Sequence, residues 1–355
     1  RRWPGERETL TRLGLENLDE IQATVKRYDM KVDFERTGTL TVATEPHQVE
    51  WLGEDALDAD ATRALVNSPT YLAGEVDDEG CALVHPGKLA IELARVATDL
   101  GVEIYEFTPV RAIEDGPTLV TDRGRVTAGK VALGTNAFPS LLKRNALMTV
   151  PVYDYVLITE PLTTKQLAAI GWEGRQGISD VANQFHYYRL TADNRILFGG
   201  YDAIYHPGRK VRRRYEDRPE SYEKLASHFF TTFPQLEGVT FTHRWAGAID
   251  TCTRFCAFFG TARGGDVAYA VGFTGLGVGA TRFGANVMLD LLDGEDTERT
   301  RLRMVRERPL PFPPEPIATA GIAAVRWSLD QADHRQGKRN ILLKTLDALK
   351  LGFDS

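Results

Sequence analysis

The stretch VAYAVGFTGLGVGATRFGANVMLDLL, residues 267–292, decides the fold of this chain. An apolar β-type run, 267–273, leads into a glycine-dense turn at 275–279. An amphipathic helix follows, because apolar residues recur there at helical spacing: Phe283, Val287, Met288 and Leu291. Glycines let backbone N–H groups approach a ligand closely, and a helix N-terminus offers positive potential. We therefore expect the turn to bind an electron-rich group.

Length and composition describe an ordinary globular protein. At ~150 residues per domain, 355 residues predict about two domains. The net charge of −6 argues against a nucleic-acid partner, and the basic run 209–214 is followed at once by Glu216 and Asp217, as in a solvated loop. No apolar run approaches the ~18–20 residues that a membrane helix needs, so we expect no membrane partner.

The cysteines and histidines indicate neither disulfides nor a metal site. Three cysteines are too few for a disulfide framework and fit a reducing compartment, so we predict a cytoplasmic protein. Cys252 and Cys256 provide only two ligands, in a segment that reads as a strand. The histidines show no metal-ligand spacing. We predict no metal.

Helical and strand patterns alternate along the chain. Apolar residues at helical spacing predict helices over 6–30, 47–66, 88–100 and 219–233. β-type runs predict a hairpin over 34–43 and strands over 102–106, 110–114, 118–121, 125–127 and 130–137. Alternating apolar and polar residues predict an antiparallel sheet with strands over 153–159, 185–190, 195–199 and 241–253. Residues 342–355 predict a basic amphipathic helix that ends in a polar tail.

The turn can be interpreted in two ways. Gly275, Gly277 and Ala280 after a strand have the spacing of a dinucleotide-binding fingerprint. That fingerprint needs a second parallel strand, but the helix here runs into the acidic segment 293–297 and then a charged helix. A nicotinamide site is therefore the weaker interpretation, and the polar edge of a flavin is the stronger one.

Five segments in order carry a family resemblance: HPGKLAIELARVATDLGVEIYEFTPV (85–110), VALGTNAF (131–138), YYRLTADNRILFGG (187–200), HRWAGAIDTCTRFCAFFG (243–260) and AVGFTGLGVGATRFGANVMLDLL (270–292). The chain resembles the FAD-dependent amine and amino-acid oxidoreductases of the D-amino-acid oxidase superfamily, especially their γ-glutamylputrescine oxidase-like branch. The resemblance implies FAD as the cofactor. It also implies cofactor contacts at Val110, Thr135, Asn136, Gly275, Leu276, Gly277, Val278, Gly279 and Thr281.

The implied fold class is α/β (α+β), with an incomplete FAD-binding Rossmann-like domain interleaved with an antiparallel-sheet substrate domain. We assign 1–30, 80–150 and 255–295 to the FAD-binding domain. Residues 31–79 and 151–254 form the predicted substrate domain, and 296–355 a C-terminal helical extension.

The chain departs from the family pattern at two places. The family's nucleotide fingerprint normally precedes a region like residues 1–28 and is absent, so we expect an N-terminally truncated copy that binds FAD poorly by itself. Leu276 stands where many relatives carry a histidine next to the flavin.

The substrate side of the predicted site rests on a few residues. Relatives that oxidise α-amino acids usually hold the carboxylate with an arginine just after a Trp-x-Gly segment. Here Trp245-Ala246-Gly247 is followed by Ala248-Ile249-Asp250, which favours an amine or polyamine-like substrate. Asp250 could attract a cationic amine, but a surface or turn-capping aspartate is the favoured interpretation. Since the sheet domain lies over the flavin in this superfamily, the candidate catalytic residues are Tyr187 and Arg189, on one strand face, and Arg254.

The resemblance implies an FAD-dependent oxidase of a CH–NH bond. Hydride equivalents pass from the carbon next to nitrogen to the flavin, water hydrolyses the imine, and O2 is the expected acceptor. A dehydrogenase that uses another electron carrier is the alternative within the fold. A non-catalytic remnant of the fold is the alternative from a different class.

Overall fold

The computed structural model describes residues 2–349 and residue 351. The predicted polar tail, 352–355, lies outside the described residues. The helices are α1 (Arg7–Arg27), α2 (Ala59–Leu65), α3 (Pro86–Asp99), α4 (Thr164–Ile170), α5 (Pro219–Thr232), α6 (Gly277–Asp293), α7 (Glu298–Arg301), α8 (Arg303–Arg306), α9 (Ile317–Asp333) and α10 (Ile341–Ala348). The strands are β1 (Thr39–Ala43), β2 (Leu57–Asp58), β3 (Ala73–Asp77), β4 (Val110–Glu114), β5 (Thr118–Thr121), β6 (Gly124–Thr127), β7 (Val131–Leu133), β8 (Thr149–Thr159), β9 (Gly177–Asp180), β10 (His186–Leu190), β11 (Ile196–Gly200), β12 (Ile204–Tyr205), β13 (Phe241–Cys252), β14 (Phe258–Ala262) and β15 (Val267–Val271).

Nine of these strands form one large sheet in the described chain. Its order is β12-β8-β11-β10-β9-β1-β3-β2, and β13 pairs with the other edge of β8 along most of its length. The predicted strands over 153–159, 185–190, 195–199 and 241–253 are confirmed within a few residues at their ends. The pairing of β1 with β9 is parallel, so the sheet is mixed rather than antiparallel throughout.

One face of the large sheet is packed against α5. This buried side holds aromatic side chains with no more than 1% exposure: Tyr153, Tyr155, Phe198, Phe229 and Phe233. Burial of a large apolar side chain contributes about 1.5–3 kcal/mol, so this side supplies the main core of the molecule. Because side chains alternate along a strand, the residues between these aromatic residues point to the opposite face.

The region of the glycine turn is built on two smaller sheets. In the first, β15 lies between antiparallel β14 and parallel β7. In the second, β4, β5 and β6 form an antiparallel meander. Ile113 of β4 and Leu119 of β5 pack with Val131 and Tyr269 in one apolar cluster, which joins the two sheets.

The predicted strand over 102–106 is wrong. Apart from a turn at its end, the segment has no regular structure, and Val102, Ile104 and Tyr105 are about half exposed or more. No strand of the described chain lies beside this segment to supply hydrogen-bond partners. An apolar run therefore stays irregular, because a strand is stable only with a neighbouring strand.

Two further predictions fail near the N-terminus. Residues 34–43 do not form a hairpin, since β1 pairs instead with β3 and β9. The predicted helix over 47–66 is divided into a 3₁₀ helix (Pro46–Trp51), β2 and α2, where Asp58 caps α2 by accepting from the N–H of Ala61. The other predicted helices, α1, α3 and α5, are confirmed.

None of the helices in the described part of the chain is long and apolar enough to cross a membrane.

Candidate active site

The glycine turn lies between β15 and α6 and leaves backbone N–H groups free. Thr274 and Gly275 have φ values of 51° and 87°, so the chain reverses through the left-handed region, which favours glycine. Leu276 caps α6 without a side-chain hydrogen bond, and α6 begins at Gly277. The first N–H groups of a helix have no partner within it, so the turn presents donors and the positive end of the helix dipole.

Asp250 holds this turn in place. Its carboxylate is buried and accepts hydrogen bonds from the backbone N–H groups of Gly272 and Phe273, the latter at 3.1 Å. Its own carbonyl accepts from the N–H of Thr274. Burial raises the pKa of Asp250 against the lowering effect of these donors. Asp250 therefore connects the end of β13 to the glycine turn: of the two roles that the sequence favoured, it has the turn-capping one and not the surface one.

The ends of the two parallel strands meet beside the turn. Val267 pairs with Val131 and Tyr269 with Leu133, so β7 and β15 point the same way and end at the same edge. β7 is followed by Thr135, half-buried, and Asn136, exposed with a φ of 48°. The structure thus brings two of the predicted cofactor residues to the edge where the glycine turn lies, as is typical of ligand sites in open α/β sheets.

The remaining predicted cofactor residues lie in different places. Val278 and Thr281 line a cleft of about 470 Å³ between α1, α3 and the first turns of α6. Leu276 is 62% exposed beside it. Val110 begins β4, in the separate meander sheet, and is not part of the strand edge formed by β7 and β15.

The second face of the large sheet is open along β13, and it adjoins the turn. We call the residues that point to it the open face: Val152, Asp154, Tyr187, Arg189, Gly199, Trp245, Gly247 and Ile249. A Cβ atom on Gly275 would lie 3.7 Å from Cδ1 of Ile249, so the turn touches this face. Trp245 is 42% exposed and Gly247 is exposed, which leaves room for a ligand above the sheet.

Tyr187 makes a hydrogen bond across the open face. Its hydroxyl donates to Oδ2 of Asp154 at 2.5 Å, although the two residues lie on β10 and β8 with β11 between them. Burial raises the pKa of Tyr187 well above its ordinary value and also raises the pKa of Asp154. The sequence alone does not indicate a role for Asp154, because an isolated aspartate in a strand carries no spacing signal.

Arg189 is on the same face and has no ion-pair partner in the described chain. The two carboxylates whose charges act on Arg189 are paired with other residues: Asp33 with Lys88 at 2.7 Å, and Glu35 with Arg175 at 3.1 Å. Burial lowers the pKa of Arg189, while the negative charges of Asp33 and Glu35 raise it. A half-buried guanidinium without a partner favours an anionic ligand.

The structure places Arg254 away from the open face. Its guanidinium donates to the backbone carbonyls of Cys256, Ala257, Met304 and Glu307. Two of these carbonyls belong to the end of α8, where a cation is favoured by the helix dipole. With its donors directed at carbonyls, Arg254 holds the loop after β13 to α8, which differs from the catalytic role that the sequence analysis expected.

A second polar cluster lies on the opposite side of the sheet. His186 Nδ1 lies 2.7 Å from Oδ2 of Asp180, and its Nε2 lies 2.8 Å from Nδ1 of His228 on α5. Burial lowers the pKa of His228 to about 4, and the electrostatic effect of the neighbouring His186 acts in the same direction. Since His186 and Tyr187 point to opposite faces, this cluster is separated from the open face by the sheet itself.

Comparison with known sequences assigns the chain a family and relatives. Residues 2–291 match the family described as FAD dependent oxidoreductase. The chain is 32% identical over 301 residues to gamma-glutamylputrescine oxidoreductase of Escherichia coli, an alignment that covers 79% of this chain and 66% of that protein. It is 26% identical to a probable oxidoreductase, OrdL, of Haemophilus influenzae, over 81% of this chain and 68% of that protein. The chain thus spans about two thirds of the length of these relatives.

Solved structures share the fold. Glycine oxidase from Bacillus cereus superposes with a TM-score of 0.69 at 20% identity, covering 84% of each chain. L-proline dehydrogenase from P. horikoshii superposes with a TM-score of 0.66 at 18% identity, covering 81% of this chain and 79% of that one. At such low identity the likeness is one of fold alone.

Proposed function

From the premise that the chain belongs to the FAD-dependent oxidoreductase family, as its match over residues 2–291 shows, we propose that it oxidises the CH–NH bond of an amine or amino acid. The observation that carries this proposal is the meeting of three features: the glycine turn, the edge where β7 and β15 end, and the open face of the large sheet. Together they provide a place for a cofactor and an adjoining space for a substrate.

The residues at the strand edge fit FAD. Added Cβ atoms at Gly134 and Gly279 would meet no protein atom within 4 Å, so these glycines border open space rather than packing contacts. The N–H groups at the start of α6 suit the electron-rich edge of a flavin. We propose that residues 275–279, together with Thr135 and Asn136, hold this end of the cofactor.

Bound FAD would accept the hydride equivalents that leave the carbon next to the substrate nitrogen. The chain's own contribution is to bind and orient. Arg189 would pair with an anionic group of the substrate, and the Tyr187 hydroxyl would keep the polar part of the substrate in register over the open face. Orientation of this kind accounts for a large share of catalysis when the cofactor supplies the chemistry.

The substrate we propose is an amine of the polyamine type. The absence of an arginine after Trp245-Ala246-Gly247 supports this, as does the name of the E. coli relative, which is an oxidoreductase of gamma-glutamylputrescine. We propose O2 as the electron acceptor, with another electron carrier as the alternative. The low cysteine content supports a cytoplasmic location.

A spectroscopic experiment tests the proposal. Because the chain is expected to bind FAD weakly, it is mixed with excess FAD and the visible absorption is recorded without removal of the free cofactor, with FAD alone as the control. Anaerobic addition of gamma-glutamylputrescine or butane-1,4-diamine should bleach the flavin bands, and admission of air should restore them with formation of hydrogen peroxide. Bleaching without peroxide would favour a dehydrogenase. A protein that retains FAD but is bleached by no amine or amino acid would contradict the proposed function.

A further inference from the structure

Asp154 is a half-buried carboxylate without a cation. In the described chain it forms no ion pair, and Tyr187 is the one side chain that donates to it. Asp202, a buried carboxylate elsewhere in the protein, binds Arg218 at 2.9 Å and Lys224 at 3.1 Å, and the buried carboxylate of Asp250 accepts from two backbone N–H groups of the glycine turn. A carboxylate removed from water without a positive partner costs free energy, so its retention points to a partner that arrives from outside.

Gly199 makes the position of this carboxylate possible. A Cβ atom on Gly199 would come within 2.8 Å of both Cζ and the hydroxyl of Tyr187. The missing side chain leaves a gap in β11, and the ring of Tyr187 lies over that gap to reach Asp154 on β8. Such a contact across an intervening strand requires a glycine at this place. The arrangement therefore depends on three residues from three strands: Asp154 of β8, Gly199 of β11 and Tyr187 of β10.

Strand register puts Asp154 near the glycine turn. Asp154 pairs with the exposed Gly247, and Val152 pairs with Ile249, which adjoins Gly275. Directly paired residues of an antiparallel sheet project on the same face. Asp154 is therefore two residues along the strand from the level of the turn, a separation of about 7 Å, and Gly247 places no side chain beside it.

We propose that the Asp154 carboxylate, held by Tyr187 over the gap at Gly199, selects the substrate by binding its protonated amine. This inference rests on the proposed function for the place of the site and adds the residue that recognises the cationic group. One N–H of the ammonium donates to the carboxylate, and the ammonium proton then passes to it: R–NH3⁺ and Asp–COO⁻ become R–NH2 and Asp–COOH. The neutral amine is the form whose neighbouring C–H bond can be oxidised.

The raised pKa of Asp154 is consistent with this role. Burial raises it, while the hydroxyl of Tyr187 and the backbone N–H groups of Tyr155 and Gly200 lower it. A carboxyl group with a raised pKa is a better proton acceptor than an exposed one. Neutral Tyr187 can keep donating its proton to Asp154, because burial raises the pKa of Tyr187 well above its ordinary value.

Binding measurements without turnover test the inference. Titration calorimetry of the purified chain with butane-1,4-diamine is compared with butane-1,4-diol, which has the same shape without charge. The diamine should bind the unchanged chain more tightly than the diol. Asp154→Asn should weaken diamine binding roughly ten- to a hundredfold and leave diol binding unchanged, because the lost contact is a charged hydrogen bond.

Two variants control for structural damage. Tyr188→Phe removes the neighbouring hydroxyl on the buried side of the sheet, which bonds Tyr71 at 2.7 Å, and should leave diamine binding unchanged. Asp154→Glu keeps the charge and should recover part of the affinity. Equal diamine binding by Asp154→Asn and the unchanged chain would overturn the inference, as would equal binding of diamine and diol by the unchanged chain.

The outcome can be separated from that of the proposed function. If amines bleach the flavin equally well in Asp154→Asn, with the same concentration dependence, the proposed function stands and this inference fails. If diamine binding depends on Asp154 but no amine or amino acid bleaches the bound flavin, the inference stands and the proposed function fails.

Discussion

The packed side of the large sheet and the surface around α3 are built from similar residues and differ in what covers them. Tyr153 and Tyr155 of the sheet, and Phe229 of α5, which packs against it, are fully buried. On the other surface, Ile91 is 71% exposed and Phe107 88% exposed. Apolar sequence therefore produces a core only where another element lies against it, and the contrast predicts very different responses to substitution.

The largest effect is expected within the packed side. Phe229→Ala removes a fully buried ring that contacts Phe198, Phe233 and Phe241 at centroid distances of 5.2–5.8 Å. It should lower the free energy of unfolding by about 3–5 kcal/mol. Urea denaturation followed by circular dichroism measures this. A loss below about 1 kcal/mol would mean that the sheet side is packed less tightly than described.

A smaller effect is expected at Asp250, which connects the end of β13 to the glycine turn. Asp250→Ala leaves the N–H groups of Gly272 and Phe273 without their acceptor, which should cost about 1–3 kcal/mol of stability. The loosened turn should also bind FAD about tenfold more weakly, as measured by fluorescence titration. Asp266→Ala, an exposed aspartate directly before β15, is the matched control. Unchanged FAD affinity in Asp250→Ala would remove the turn from the proposed cofactor site.

The packed side should also lose stability in acid through His228. Its pKa in the folded protein is about 4, against an ordinary 6.5, so the unfolded state binds more protons between these values. The contribution of His228 to the free energy of unfolding is fully present above about pH 6.5 and is lost as the pH falls to about 4. With allowance for solvent screening it amounts to about 1–2 kcal/mol.

Denaturation curves at several pH values measure this contribution. His228→Gln should flatten the dependence between pH 6.5 and 4, while the exposed His243→Gln should not. The neighbouring groups are Asp180, His186, Lys224 and Asp202, and the last of these is paired with Lys224. An unchanged slope in His228→Gln would assign the acid sensitivity to another group.

The smallest effect is expected at Phe107. Its side chain is 88% exposed and its φ is 50°, a conformation that asparagine adopts more readily than phenylalanine. Phe107→Asn should therefore change the free energy of unfolding by no more than about 0.5 kcal/mol in the chain described here. A loss above 1 kcal/mol would show that this surface is covered in solution, and the contrast between the two regions would then disappear.

The sequence correctly predicted those elements whose structure is determined mainly by their own residues. The strands β10 and β11 were expected from their alternating apolar and polar residues, and the structure joins them by a turn in which Asn194 has a φ of 61°. The segment 102–106 has the same apolar character, but its structure depends on a neighbouring strand that no local pattern can report.

In the candidate site, too, local sequence patterns predict short motifs but not contacts between distant strands. The glycine turn and the strand end at Thr135 and Asn136 were recognisable as short motifs, and the structure brings them to one edge. The sequence did not indicate Asp154, because its proposed role depends on contacts with Tyr187 over Gly199, which lie on other strands. Arg254 was misjudged because a charged residue in a motif looks the same whether it faces a ligand or backbone carbonyls.

The parallel pairing of β1 with β9 has a consequence for biosynthesis. Leu40 pairs with Ile178, and Tyr155 of β8 pairs with Ala246 of β13. Since a ribosome adds roughly 5–20 residues per second, β1 leaves it roughly 10–40 s before β13 does. Unpaired strand edges attract other chains during such an interval. The large sheet is thus completed only after β13 has been made. Until β9 has been made, the edge of β1 that pairs with it stays unpaired.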